Sequence, residues 1–168
     1  MIHRLSITLL SALSVLNAQT YPLSENSWEN PEFVQRFLGS YGVDTEKSPS
    51  ISRAENEVFQ AVAKIAAEQP DRAIQLLTES IDADSSAAMD FTLANFRLQQ
   101  GDLAGAKAAY EQAIQKFPNF GRAYKNLGLA HLQQSEYKEA LPHLTKALEI
   151  LGGDGALFGL IAYCHLNQ

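Results

Sequence analysis

A shift of 34 residues lays the second half of this sequence on itself. Leu93 falls on Leu127 and Ile161, and Ala94 falls on Gly128 and Ala162. Leu98, Leu132 and Leu166 coincide, as do Gln100, Gln134 and Gln168. Further on, Ala106 matches Ala140, Tyr110 matches Leu144, and Ala113 matches Ala147. A period of this length, with apolar residues at helical spacing and no alternating strand pattern, predicts stacked pairs of helices. Small residues at fixed places let helices approach closely, and Leu, Tyr and Phe fill the space between. "QGD" at 100–102 and "QSE" at 134–136 read as the turns inside each pair.

The unit 121–154 contains Tyr124-x2-Leu127-Gly128-x2-His131, then Ala140-x3-Leu144, then Gly152. The unit 87–120 contains Asp90-x2-Leu93-Ala94-x2-Arg97, then Ala106-x3-Tyr110, then Pro118. This order resembles the tetratricopeptide repeat family, whose pattern is Trp-x2-Leu-Gly-x2-Tyr, Ala-x3-Phe and Pro. The resemblance implies an all-α, right-handed superhelix of antiparallel pairs, each with a helix A and a helix B. A weaker unit occupies 53–86, with Ala73 and Ser80 in the small positions, Leu77 in the aromatic one and Pro70 at the entry to helix B. Its helix A departs from the pattern, with Gln60 where Leu is expected, as in an N-terminal capping repeat. Ser52 with Glu55 forms a capping box that starts this body.

Residues 155–168, "GALFGLIAYCHLNQ", match helix A of a further unit through Phe158-x2-Ile161-Ala162-x2-His165. They carry no Lys, Arg, Asp or Glu. A helix apolar all round belongs in an interior, so a cover is expected for it. The expectation is at least one more helix after Gln168; a partner or self-association through this last helix are the alternatives.

The beginning reads differently. "MIHR" is a short positive start, Leu5–Leu16 an apolar run, and "NAQT" a small-residue exit, together the pattern of a secretory signal peptide cut after Ala18. The run is too short to span a bilayer. A periplasmic or secreted location is therefore expected, with no stable membrane span after cleavage. Residues 19–52 read as a linker interrupted by Pro22, Pro31 and Pro49, with a short helix near 31–38 whose stripe is Phe33, Val34, Phe37 and Leu38.

Net charge is −6 and no run of Lys and Arg occurs, so no nucleic-acid partner is expected. No Gly-rich phosphate loop, GxSxG or HExxH is present. No enzyme activity, cofactor or metal is expected. His131 and His165 share one repeat position and read as core aromatics with one polar edge; a metal pair would need a third ligand, and none is evident. The single cysteine, Cys164, reads as a small buried hydrophobe.

What remains is binding. The resemblance implies a concave face lined by helix A, at roughly the second, fifth, ninth and thirteenth positions. These are Ala88, Phe91, Asn95 and Gln99, then Arg122, Lys125, Leu129 and Gln133, with Ala156, Gly159 and Tyr163 on the last helix. Such a face suits an extended protein or peptide segment carrying an acidic group, with Arg122 and Lys125 as a local positive spot. Some family members grip a C-terminal carboxylate; of the comparable set Phe91, Asn95, Asn126, Ala156 and Leu160, only the two Asn fit. Leader plus repeats resembles the layout of bacterial envelope adaptors and scaffolds, some of which accompany TonB-type energy-transducing machinery. The alternative is a targeting module of a longer envelope enzyme.

Overall fold

The computed structural model describes residues 48–152 and 154–168, so the expected leader and the short helix near 31–38 lie outside the described residues. Among the described residues seven helices follow one another: α1 (Arg53–Ile65), α2 (Pro70–Ser80), α3 (Ala87–Gln99), α4 (Leu103–Lys116), α5 (Gly121–Gln133), α6 (Tyr137–Leu151) and α7 (Gly155–Leu166). Each packs chiefly on its neighbours in the chain, most extensively within the pairs α3–α4 and α5–α6. This is the nearest-neighbour stacking of an all-α tetratricopeptide-type superhelix, in which α1, α3, α5 and α7 are the A helices.

The helix ends form where the sequence places them. Glu55 N–H donates to Ser52 Oγ at 3.2 Å, and Ser52 N–H donates back to Glu55 Oε2 at 2.6 Å. The other Glu55 oxygen accepts from the Ser86 N–H at 2.5 Å, which ties the start of α1 to the start of α3. Burial pushes the Glu55 carboxyl up, but the backbone N–H groups of Ser52 and Ser86 outweigh it and hold the pKa at about 2. Pro70 opens α2, where its missing N–H costs nothing. The turns at Gly101 and Ser135 have φ of 78° and 59°, and Gly152 ends α6 with φ of 81°. Gln60 faces solvent, and Phe59 and Val62 supply the inward contacts of α1 instead.

The core is built from the repeat positions. Ala73, Leu77, Ala94, Ala106, Tyr110, Ala113, Leu127, Ala140, Leu144 and Ala147 have no more than trace exposure. Gly128 shows why the eighth position is small: a Cβ there would lie 2.7 Å from the Leu144 side chain, against 3.4 Å from the Ala140 carbonyl oxygen. Pro142 sits inside α6 on its exposed side. The helix runs through it because Ala140, Leu144 and Ala147 are pinned on the opposite face, although an interior proline removes one backbone hydrogen bond. No helix among the described residues is long and apolar enough to cross a membrane.

Candidate functional site

The inner face is set by A helices whose other sides are buried. On α3, Phe91 lies half-buried with its ring centroid 4.8 Å from that of Phe120 and 5.8 Å from that of Tyr110. The exposed Arg122 guanidinium, at the start of α5, sits 5.8 Å from the Phe91 centroid and 5.7 Å from that of Phe120. Cation and rings at this range attract through the ring quadrupole. The guanidinium thus lies against two rings while Arg122 as a whole stays exposed. Phe59, Phe91, Phe120, Arg122 and Ile51 line a depression of about 340 Å³ here. A larger hollow of about 630 Å³ lies beside the α1 N-terminus, lined by Ser and Asp side chains around the Glu55 cap. It contains neither Arg122 nor an inner-face aromatic.

One turn further along α3, Asn95 does not simply face the groove. Its Oδ1 accepts from the Tyr110 hydroxyl at 2.6 Å and from Asn126 Nδ2 at 3.0 Å, and Asn126 Nδ2 also lies 3.3 Å from the Tyr110 oxygen. Three helices meet in this triad. Burial pushes the Tyr110 phenol pKa up, against the Asn126 hydrogen bond, which keeps the hydroxyl protonated as a donor. Among the described residues the Asn95 Nδ2 and Asn126 Oδ1 make no hydrogen bond, and both side chains are half-buried. The triad thus leaves one amide donor and one amide acceptor uncommitted among the described residues.

The expected positive spot is corrected to a single cation. Lys125 Nζ lies 2.9 Å from Asp154 Oδ2, so its charge is met within the chain, and that contact lowers the Asp154 pKa together with the Ala156 N–H. Leu129 is half-buried between Lys125 and Gln133, while Gln99 and Gln133 are exposed. Tyr163 on α7 is 49% exposed and meets the edge of Tyr137 at 5.7 Å rather than the aromatic group around Phe91. Phe120, Tyr110, Asn126 and Asp154 complete the site. Asn126 was visible in the sequence only through the carboxylate comparison, and Asp154 carried no signal.

The histidines divide. His131 is mostly buried, its Nδ1 2.6 Å from Glu136 Oε2, and its ring stacks on His143 at 5.4 Å. Lys107 Nζ reaches the same Glu136 oxygen at 2.8 Å and Gln134 at 2.5 Å, and these contacts, Lys107 first, lower the Glu136 pKa. Burial, aided by His131, lowers the His143 pKa. His165 is corrected: it is exposed, because the side of α7 that carries it has no helix against it among the described residues. Cys164 is fully buried as expected, and its thiol pKa is raised by burial. Among the described residues no group of three or more His, Cys, Asp or Glu can hold a metal ion.

Residues 91–155 match the tetratricopeptide repeat family. Among solved structures, the chain is similar to a MamA RS-1 ArsTM double mutant, with a TM-score of 0.63 and 17% identity over 70% of this chain and 67% of that one. It is similar as well to a structure described as MamA protein, with a TM-score of 0.59 and 19% identity over 81% of this chain and 68% of that one. At these identities the likeness concerns the fold. No curated protein matches the sequence.

Proposed function

We propose, for a chain whose body is built of tetratricopeptide repeats, that it is a scaffold or adaptor whose inner face binds an extended partner segment carrying an acidic side chain. A protein-interaction role follows from the repeats. The finer reading rests on one observation: Arg122 lies over Phe91 and Phe120 yet remains exposed, one helical turn from Asn126 on the same helix. The rings offer apolar ground, the guanidinium takes the carboxylate, and the two amides take one backbone C=O and one N–H.

Fluorescence anisotropy with extended peptides bearing one Asp or Glu beside an apolar residue tests this. Arg122→Glu is expected to weaken binding about tenfold or more, as loss of a central anchor does, with helicity unchanged by circular dichroism. Equal binding by the wild type and Arg122→Glu would move the partner off this face.

The location is part of the same reading. The leader pattern in Met1–Ala18 supports export into a bacterial envelope, and N-terminal sequencing of protein recovered outside the cytoplasm is expected to begin at Gln19.

A further inference from the structure

The described residues bury two separate apolar clusters. The first runs from Val62 on α1 through α2, α3 and α4 to Phe120, Ala123 and Leu127. The second joins Ala140, Leu144 and Ala147 on α6 to Leu157 and Cys164 on α7, with Tyr124 and Leu132 of α5 packed against it. Two histidines link α5 to α6 here. The rings of His131 and His143 lie nearly parallel, with 7° between their planes and 5.4 Å between centroids. One repeat earlier the same two places hold Arg97 and Ala109, so the stack belongs to this joint and not to the one before it.

The two rings are not equivalent. His131 Nδ1 has Glu136 Oε2 at 2.6 Å, and Lys107 of α4 holds that same oxygen at 2.8 Å. His143 is half-buried, and among the described residues no carboxylate stands at ion-pair distance from it. From α5 it meets His131 and Tyr124, the latter with its ring centroid 6.3 Å away. From α4 it feels the charge of Glu111. On α6 itself Glu139 and Lys146 are one turn to either side, and α7 brings Tyr163, Cys164 and His165 but no Lys, Arg, Asp or Glu. Burial first, then His131, holds the His143 pKa below the ordinary imidazole value of 6.5, against the pull of Glu111. Pro142, the residue before it, leaves α6 one backbone hydrogen bond short at this turn.

We propose that the His131–His143 stack is an acid-sensitive joint, and that a proton taken up by His143 loosens α6, and α7 with it, from the helices before them. A neutral ring is half-buried against another imidazole at little cost. An imidazolium in its place loses water, has no carboxylate of its own, and faces a ring that Glu136 and Lys107 fix from the other side. The closed joint therefore refuses a proton that the opened chain accepts. Stability contributed by neutral His143 is present above the ordinary imidazole value, and is lost as pH falls through it toward the lowered value of the closed state. The element that yields is α6, which lacks a backbone hydrogen bond beside His143 and shares its buried cluster with α7 rather than with α1–α4.

The test is native-state hydrogen exchange of the whole chain at about pH 8 and about pH 5, read as opening constants so that the intrinsic exchange rate drops out. Opening of α6 amides is expected to rise severalfold on acidification while that of α3 and α4 holds. His143→Ala, which installs the residue of the preceding repeat, and His143→Phe, which keeps a ring in the stack, are each expected to abolish the rise. His165→Ala, at an exposed site, is expected to leave it intact. The imidazole Cε1–H proton resonance of His143 is expected to titrate below 6.5 in the wild type and to move toward that value in His131→Phe. Opening that does not change with pH, or a rise that survives both His143 variants, overturns the proposal. So does a wild-type His143 that titrates at or above 6.5, which decides the matter even where the variants fail to fold. Opening that falls on acidification overturns it as well, since control would then lie in the His131–Glu136 pair.

Discussion

Helix α5 and helix α7 hold the same place in successive repeats, and they differ in what covers them. α5 buries Gly121, Ala123, Leu127, Gly128 and Ala130, because α4 packs on one side and α6 on the other. α7 buries Leu157 and Cys164, the equivalents of Ala123 and Ala130, and both lie on the side facing α6. Its equivalents of Leu127 and Gly128 are Ile161, half-buried, and Ala162, exposed. Residue type is nearly the same at each place, so composition does not decide burial in a solenoid. The neighbour does.

The largest effect tests cover at the fourth helix A position, which is Asp90, Tyr124 or Phe158 in successive units. Asp90 is 4% exposed, and its Oδ2 lies 2.8 Å from Lys116 Nζ, a contact with the geometry of an ion pair rather than an aligned hydrogen bond. Lys116 is held further by the Asp82 carbonyl and Ser85 Oγ, both at 2.9 Å. Lys116→Met leaves a buried carboxylate without its partner, which costs about 3–5 kcal/mol. A urea melt should show that loss, and a melt within about 1 kcal/mol of wild type would mean that Asp90 is not truly desolvated.

The comparison sharpens at the eighth position. Gly128→Leu overpacks against Leu144 and should cost about 1–3 kcal/mol even though leucine is the better helix former. Ala162→Leu makes nearly the same change on α7, where the face is open, and should stay within about 0.5 kcal/mol. Equal costs at the two sites would break the equivalence of the helices, or show Ala162 covered.

A smaller effect concerns the turn inside each pair. Gly101 and Ser135 are 34 residues apart and share the left-handed conformation, with φ of 78° and 59°. Only glycine adopts it without steric penalty. Ser135→Gly should therefore raise stability by up to about 1 kcal/mol, and thermal melting that falls instead would show the serine making a contact that holds the turn.

The repeat could be read in the sequence because small residues at a 34-residue spacing leave little choice of packing, and the capping box, Pro70 and Gly152 mark helix ends by local chemistry. Groove positions could be assigned to a face by periodicity, and Phe91 and Arg122 do meet. Periodicity does not reveal what else reaches that face. Asn95 is engaged by Tyr110 from the next helix and by Asn126 from the next repeat, and Lys125 is neutralised by Asp154, all through contacts 15 to 31 residues apart. His165 looked like His131 because the sequence position is the same, and only cover separates them. Pro142 shows the converse, a local rule overridden by packing on the far side of its helix.

The measurement that bears most directly on neighbour-determined cover is native-state hydrogen exchange, read amide by amide on α5 and α7. Local opening free energies should follow cover. Amides of α5 are expected to exchange only through opening of several helices together, and those of α7 orders of magnitude faster by opening alone. Equal protection of the two helices in the free chain would contradict it.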